Sequence, residues 1–135
     1  MDRWLAISDG ANAALHALAF AARSERPSSA RTAAEAIGVS PSYLAKLVQE
    51  LARAGLVEMS RGASGGFNVA GDPSAISALD VIRAIDGSEP KRQCLFPEAV
   101  CASRTCVLKV LCDEVSEKAR SVFEATSVAD LARNF

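Results

Sequence analysis

Thr32–Ala70 reads TAAEAIGVSPSYLAKLVQELARAGLVEMSRGASGGFNVA, and the order of its local signals decides the fold. Thr32 stands three residues before Glu35, the spacing of a capping box, which predicts a short helix over Ala33–Ile37. Gly38 ends that helix, because glycine takes the left-handed turn conformation without steric cost. Ser40-Pro41 opens a second helix, the serine as N-cap and the proline in the first helical position. Leu44, Leu47, Val48 and Leu51 line one face of it until Gly55 stops it. Two short β-like runs follow, Leu56–Ser60 and Phe67–Ala70, joined by Arg61-Gly62-Ala63-Ser64-Gly65-Gly66, whose glycines permit a tight reversal.

Outward from this segment the chain reads as helix. Leu15, Leu18, Ala19 and Ala22 recur at helical spacing and predict a first helix from Arg3 to Arg23, broken by Pro27 and the serines after it. Asp72-Pro73-Ser74 opens another, with Ile76, Leu79, Val81, Ile82 and Ile85 as its apolar set and Gly87 as its stop. Residues 88–105 read as irregular. A long helix from Cys106 to Phe123 carries the stripe Val107, Leu108, Leu111, Val115, Ala119 and Val122, and Thr126-Ser127 cap a last short helix over Val128–Arg133. The fold class is mainly α with a small β-hairpin wing. Residues 1–87 form a winged helix-turn-helix, 88–105 a cysteine-bearing loop, and 106–135 the long C-terminal helix with its short companion.

Composition supports this. Aromatic residues are only 5% of the 135-residue chain while hydrophobic ones are 50%, so the core is built from Ala, Leu, Val and Ile, which favours packed helices over a β-sandwich. Asp2, Arg3 and Asp9 stand where a signal peptide needs apolar residues. The apolar stretch Ala11–Ala22 is well short of the ~20 residues that span a bilayer. The expected location is cytoplasmic, with the cysteines reduced rather than paired in disulfides. The net charge of −1 does not advertise nucleic-acid binding, yet Arg26–Arg61 holds five basic residues against three acids, while the chain from Asp72 onward holds eight against ten.

On the winged plan, Ser40, Ser42, Tyr43, Lys46 and Gln49 lie near the exposed N-terminal half of the second helix, where a major groove would receive them. Arg61, at the base of the hairpin, reaches phosphate or an adjacent minor groove. Each piece has a plainer reading alone: helix pairs with a glycine turn are common, a Gly-Gly hairpin is weak, and a lone lysine is usually just solvated. The ordered set within about forty residues is what points to double-stranded DNA. An enzyme is not expected, since the chain has neither Cys-x-x-Cys nor a cysteine beside a well-placed base. No membrane and no small-molecule substrate are expected either, and a partner-dependent helical interaction module is the alternative.

Cys94, Cys101 and Cys106 are separated by six and then four residues. Thiolates are natural ligands for an iron–sulfur cluster, and a loop can fold three of them around one. A metal-free thiol redox switch, a zinc site lacking a clear fourth ligand, and plain burial are the other readings. Cys112 lies roughly 120° around a helix from Cys106 and reads as buried. His16, the only histidine, shares a helix face with Asp9, but a lone histidine among alanines reads as structural.

The runs Val39–Leu47, Ala54–Val57, Ser60-Arg61-Gly62, Gly65-Gly66-Phe67 and Asp80-Val81-Ile82 resemble the Rrf-type bacterial regulators, from the first helix to Thr126. The resemblance implies a homodimer held by the long C-terminal helix and binding a partly palindromic operator, with repression the expected mode. Ser42 and Lys46 would face bases or phosphates, and Arg61 would enter the groove beside the wing. Ala45 replaces the polar base-reading residue of the iron–sulfur branch, so the operator is expected to differ. Cluster-bearing members carry three cysteines in this loop, commonly spaced five and five, and sense redox, nitric oxide or iron status. Lys109 stands where one branch has a ligating histidine, and Asp9 matches the carboxylate that another branch donates from the partner subunit. The resemblance thus implies a cluster, either [2Fe–2S] or [4Fe–4S], on Cys94, Cys101, Cys106 and Asp9.

Overall fold

The most apolar stretch of the chain becomes the helix around which the others pack. The computed structural model describes residues 7–63, 65–91, 94–95 and 106–135. In it α1 spans Asp9–Ala22, followed by α2 (Ala30–Ile37), α3 (Pro41–Arg53), β1 (Val57–Ser60), β2 (Gly66–Val69), α4 (Ala78–Asp86), α5 (Lys109–Ala125) and α6 (Val128–Ala132). Six alanines, Leu15 and Leu18 of α1 are buried, so this helix is apolar on nearly every side and touches α2, α3, α4, α6 and β2. Alanine lets neighbouring backbones approach closely, which is how a core poor in aromatics still packs densely. No helix among the described residues is long and apolar enough to cross a membrane.

The first helix starts later than its periodicity suggests. Ser8 is its N-cap, accepting from the Ala11 N–H at 2.9 Å, so Ile7 and Ser8 lie outside the helix. The Ser8 N–H also donates to the Asp86 carboxylate at 3.0 Å, and its hydroxyl donates to the same group, tying the start of α1 to the end of α4.

The second helix begins at Ala30, three residues before the expected Ala33. Its cap is Ser29, whose hydroxyl accepts from the Thr32 N–H at 3.0 Å and donates to the Thr32 hydroxyl at 2.8 Å. Thr32 is therefore inside the helix, and Glu35 pairs with Arg31 at 3.2 Å instead of closing a capping box. Gly38 ends α2 at φ 76°, and Ser40 caps α3 as its sequence implies.

The wing is an antiparallel pair in the register Val57↔Val69, Glu58↔Asn68, Met59↔Phe67 and Ser60↔Gly66. A third short stretch joins it. Ser28 N–H donates to the Phe67 carbonyl at 2.9 Å, and Phe67 N–H donates back to the Ser28 carbonyl at 2.8 Å. Phe67 is 1% exposed and anchors the hairpin in the core. Gly66 is required here by close approach: a Cβ on it would stand 2.6 Å from the Ser28 carbonyl carbon and 3.1 Å from the Ser29 nitrogen.

Asp72-Pro73-Ser74 opens only a single 3-10 turn, Pro73–Ala75, rather than the expected helix. The backbone then extends so that the Ile76 carbonyl accepts from the Val128 N–H and the Ala78 N–H donates to the Thr126 carbonyl, each at 2.8 Å. The true helix starts at Ala78 behind a capping box of Ser77 and Asp80. Ser127 and Asp130 form a second box at the start of α6, and the two caps face each other across the Ser77↔Ser127 bridge. Hydrogen bonds from Ser127 hold the Asp130 carboxyl below its ordinary pKa, so the ionised acid is the form that caps. Val128 is fully buried, which places α6 in the same core as α1 and α4.

The long helix likewise begins at Lys109 rather than Cys106, with Leu108 as an N-cap that makes no side-chain hydrogen bond.

Gly66→Ala is expected to lower stability by about 1–3 kcal/mol, because the clash is with backbone that cannot swing away. Urea unfolding checks this; a midpoint equal to that of the parent chain would show that the Ser28–Phe67 bridge tolerates a side chain there.

Candidate nucleic-acid interface and thiol segment

Helix α3 is amphipathic in the strict sense. Leu44, Leu47, Val48 and Leu51 are buried, whereas Ser42, Lys46, Gln49 and Arg53 are exposed. The four exposed residues recur at intervals of four, three and four, so they fall within roughly 60° of one another around the axis and form one stripe opposite the core. Ser40 and Pro41 are exposed at its N-terminal end, where the Ser40 hydroxyl accepts from the Tyr43 N–H at 3.2 Å. Arg53 was not among the expected interface residues, although its spacing from Lys46 and Gln49 carried the signal.

Tyr43 differs from the others. It is 39% exposed, but its hydroxyl leans back over α1: a Cβ on Gly10 would lie 3.3 Å from it, 3.3 Å from Ile85 Cγ2 and 3.4 Å from Leu47 Cδ2. Gly10 thus seats α3 against the first turn of α1, the same turn that carries the exposed Asp9. Arg61 is exposed at the end of β1, beside the Ser60–Gly66 end of the ladder. The structure therefore brings Ser40, Ser42, Lys46, Gln49 and Arg61 onto solvent-facing surfaces, with hydroxyls, an amide and cations able to donate hydrogen bonds to an anionic polymer.

The thiols are less gathered. Cys94 is half-buried, Cys106 is exposed in the turn before α5, and Cys112 is 3% exposed on the inner face of that helix. Cys101 lies outside the described residues. Because Cys106 precedes the helix, its angular relation to Cys112 is not that of two residues on one helix; burial of Cys112 is what separates them. Lys109 Nζ donates to the Asp113 carboxylate at 2.5 Å and offers no lone pair to a metal. Among the described residues, no three His, Cys, Asp or Glu side chains gather in a group able to hold a metal ion. His16 is exposed, with Nδ1 2.8 Å from the Asn12 carbonyl and its ring edge-on to Phe135.

The residues after α4 face a charged surface of α5. Arg83 pairs with Glu89, and Arg120 bridges Glu117 at 2.7 Å and Glu124 at 3.0 Å. The hydrogen bond and charge of Arg120 keep the Glu117 carboxyl below its ordinary pKa, and Glu117 in turn raises that of the guanidinium. A cleft of about 500 Å³ lies between them, lined by Ser88, Glu89, Lys91, Asp113, Glu117 and Arg120.

The expected stripe of α5 divides. Ala119 is buried, and with Cys112 it faces inward, where α5 meets α4. Leu111 and Val122 remain 42% and 48% exposed, Leu108 and Val110 are exposed too, and Val115 is half-buried. This is a wide apolar surface left uncovered in a single chain.

Comparison with known proteins agrees on one family. The family model Rrf2, described as an iron-dependent transcriptional regulator, matches residues 7–134. The transcriptional regulator CymR of Bacillus subtilis is 32% identical over 108 residues, covering 80% of this chain and 74% of its own. IscR of Yersinia pestis is 34% identical over 97 residues, covering 72% of this chain but 59% of its own length. Among solved structures, B. subtilis CymR, described as the global cysteine regulator, superposes with a TM-score of 0.74 at 30% identity, covering 96% of this chain and 97% of that one. The T. potens IscR structure gives 0.72 at 28% identity, covering 95% and 86%.

Iodoacetamide should modify Cys106 before Cys112, and Cys112 only on unfolding, as read by mass spectrometry of timed samples. Labelling of Cys112 as fast as that of Cys106 in the folded chain would contradict the packing of α5.

Proposed function

We propose, from the premise that this chain belongs to the Rrf2 family of transcriptional regulators, that it grips a partly palindromic operator as a homodimer. The α3 helix of each subunit enters the major groove and the wing lies beside it. The observation that carries this reading is the exposed stripe Ser42, Lys46, Gln49 and Arg53, set opposite the core and flanked by Arg61. Two such stripes must sit about one helical turn of DNA apart. The uncovered apolar face of α5 supports the pairing that would space them, because burying Leu111, Val115 and Val122 against a second copy removes them from water. The chain regulates rather than catalyses, and it works in the cytoplasm, with repression as its mode.

The segment 88–105 is proposed as the sensor. Cys94, Cys101 and Cys106, with Asp9 of the partner subunit, would hold an iron–sulfur cluster. The donor chemistry fits: three thiols, one at the N-terminus of α5 whose first-turn N–H groups have no side-chain cap, favour an anionic cluster there. The cluster supplies a group whose oxidation state or loss registers redox, nitric oxide or iron status. Asp9 follows Ser8, which binds Asp86, and precedes Gly10, which seats Tyr43, so tension on Asp9 reaches the reading helix within one helical turn. A cluster-free thiol switch is the second reading. It is favoured by the Staphylococcus aureus CymR crystal structure solved in an oxidised form, 29% identical to this chain with a TM-score of 0.72.

Lys46→Ala and Arg61→Ala are each expected to weaken retardation of a selected duplex by about 1–3 kcal/mol, roughly five- to 150-fold, with the fold unchanged by circular dichroism. Retardation equal to that of the parent chain would remove α3 and the wing from the interface. Anaerobic reconstitution should give a coloured protein containing iron and sulfide, lost on replacing Cys94, Cys101 or Cys106 by Ala. A colourless, iron-free chain would retire the cluster and leave the thiol switch.

A further inference from the structure

A second basic surface lies where the connection between α1 and α2 meets the wing. The connection between α1 and α2 bends beside the hairpin and leaves an open cleft of about 1000 Å³. Arg23 and Arg26 line it from the connection and Arg61 from the wing, and no carboxylate is among its lining residues. Among the described residues, Arg31, Arg83, Arg120 and Arg133 each pair with an acid, whereas Arg23, Arg26, Arg53 and Arg61 have no ion pair. Three of those four arginines converge on this one cleft.

The convergence is built, not incidental. The Ser28–Phe67 pair of backbone hydrogen bonds joins the connection to β2, and the Asn68 side-chain amide donates to the Glu25 carbonyl at 3.2 Å. These bonds hold the Arg23–Pro27 turn alongside the strand ends that carry Arg61. Ser24, Ser29, Thr32 and Ser60 line the same cleft. Charged guanidinium groups together with short hydroxyl donors are the chemistry that contacts phosphodiesters without reading bases.

We infer that the Arg23–Arg26 cleft seats the sugar–phosphate backbone of the duplex where it leaves the wing. The inference rests on the DNA-binding reading above and extends the footprint beyond the base pairs that α3 reads. Its consequence is a sequence-independent contribution to affinity, carried by released counterions.

The test compares the full-length chain with Arg23→Gln/Arg26→Gln on a duplex selected from a random pool by the parent protein, and on an unrelated duplex of equal length. Fluorescence anisotropy across a salt series should show the slope of log affinity against log salt falling in magnitude by about 1.8 per subunit for two phosphates released. Both duplexes should be weakened alike, and Arg23→Lys/Arg26→Lys should restore the slope. Trimming the duplex ends should weaken the parent but not the Gln variant. An unchanged slope with an unchanged melting temperature overturns the cleft while leaving the DNA reading intact. So does loss of inorganic phosphate binding with no change on DNA, which would mark a site for a free anion. Failure of the parent chain to bind any duplex overturns both.

Discussion

Two backbone hydrogen bonds between Ser28 and Phe67 hold the wing against the connection between α1 and α2, and much of the surface geometry depends on them. Without them the hairpin would be a two-stranded ribbon attached at its base, and isolated two-stranded hairpins are marginal in water. With them, Phe67 is drawn into the core, Gly66 is forced to lack a side chain, and Arg61 is fixed relative to both α3 and the Arg23–Pro27 turn. The bridge is a constraint of approach: the two backbones come too near for any residue but glycine.

The core obeys a similar logic. A helix packed with alanine can be surrounded on several sides, so α1 serves as the common contact for α2, α3, α4 and α6. Its two ends then have different tasks. The N-terminal turn holds Ser8 on Asp86 and Gly10 under Tyr43, joining the end of α4 to α3. The C-terminal end leads into the basic turn beside the wing.

The parts readable from sequence were those governed by local chemistry. Gly38, Ser40-Pro41 and Gly87 marked helix ends because their conformations are set by neighbouring residues. What escaped was decided at long range. Ser29 rather than Thr32 caps α2 because Ser28 is pinned to Phe67, some forty residues away, and the chain must turn into the helix directly afterwards. Asp72-Pro73 failed to start a helix because Ile76 is needed, extended, to pair with Val128. The apolar pattern of α5 announced a buried face but could not say that Ala119 and Cys112 turn inward while Leu111 and Val122 stay uncovered. On the exposed face of α3, Ser42, Lys46 and Gln49 followed from helical spacing alone, and Arg53 would have too. The arginine cleft was out of reach, since nothing local relates Arg23 to Arg61.

The central claim is that α3 and the wing contact one duplex together, and amide chemical-shift mapping tests it most directly. A 15N-labelled chain titrated with a selected duplex should show perturbations concentrated at the N-terminal half of α3 and at β1 beside Arg61. The outer residues of α5 should be unmoved once the dimer is formed. Perturbations confined to α5, or spread evenly while the amides of Ser42, Lys46 and Arg61 stay in place, would contradict it.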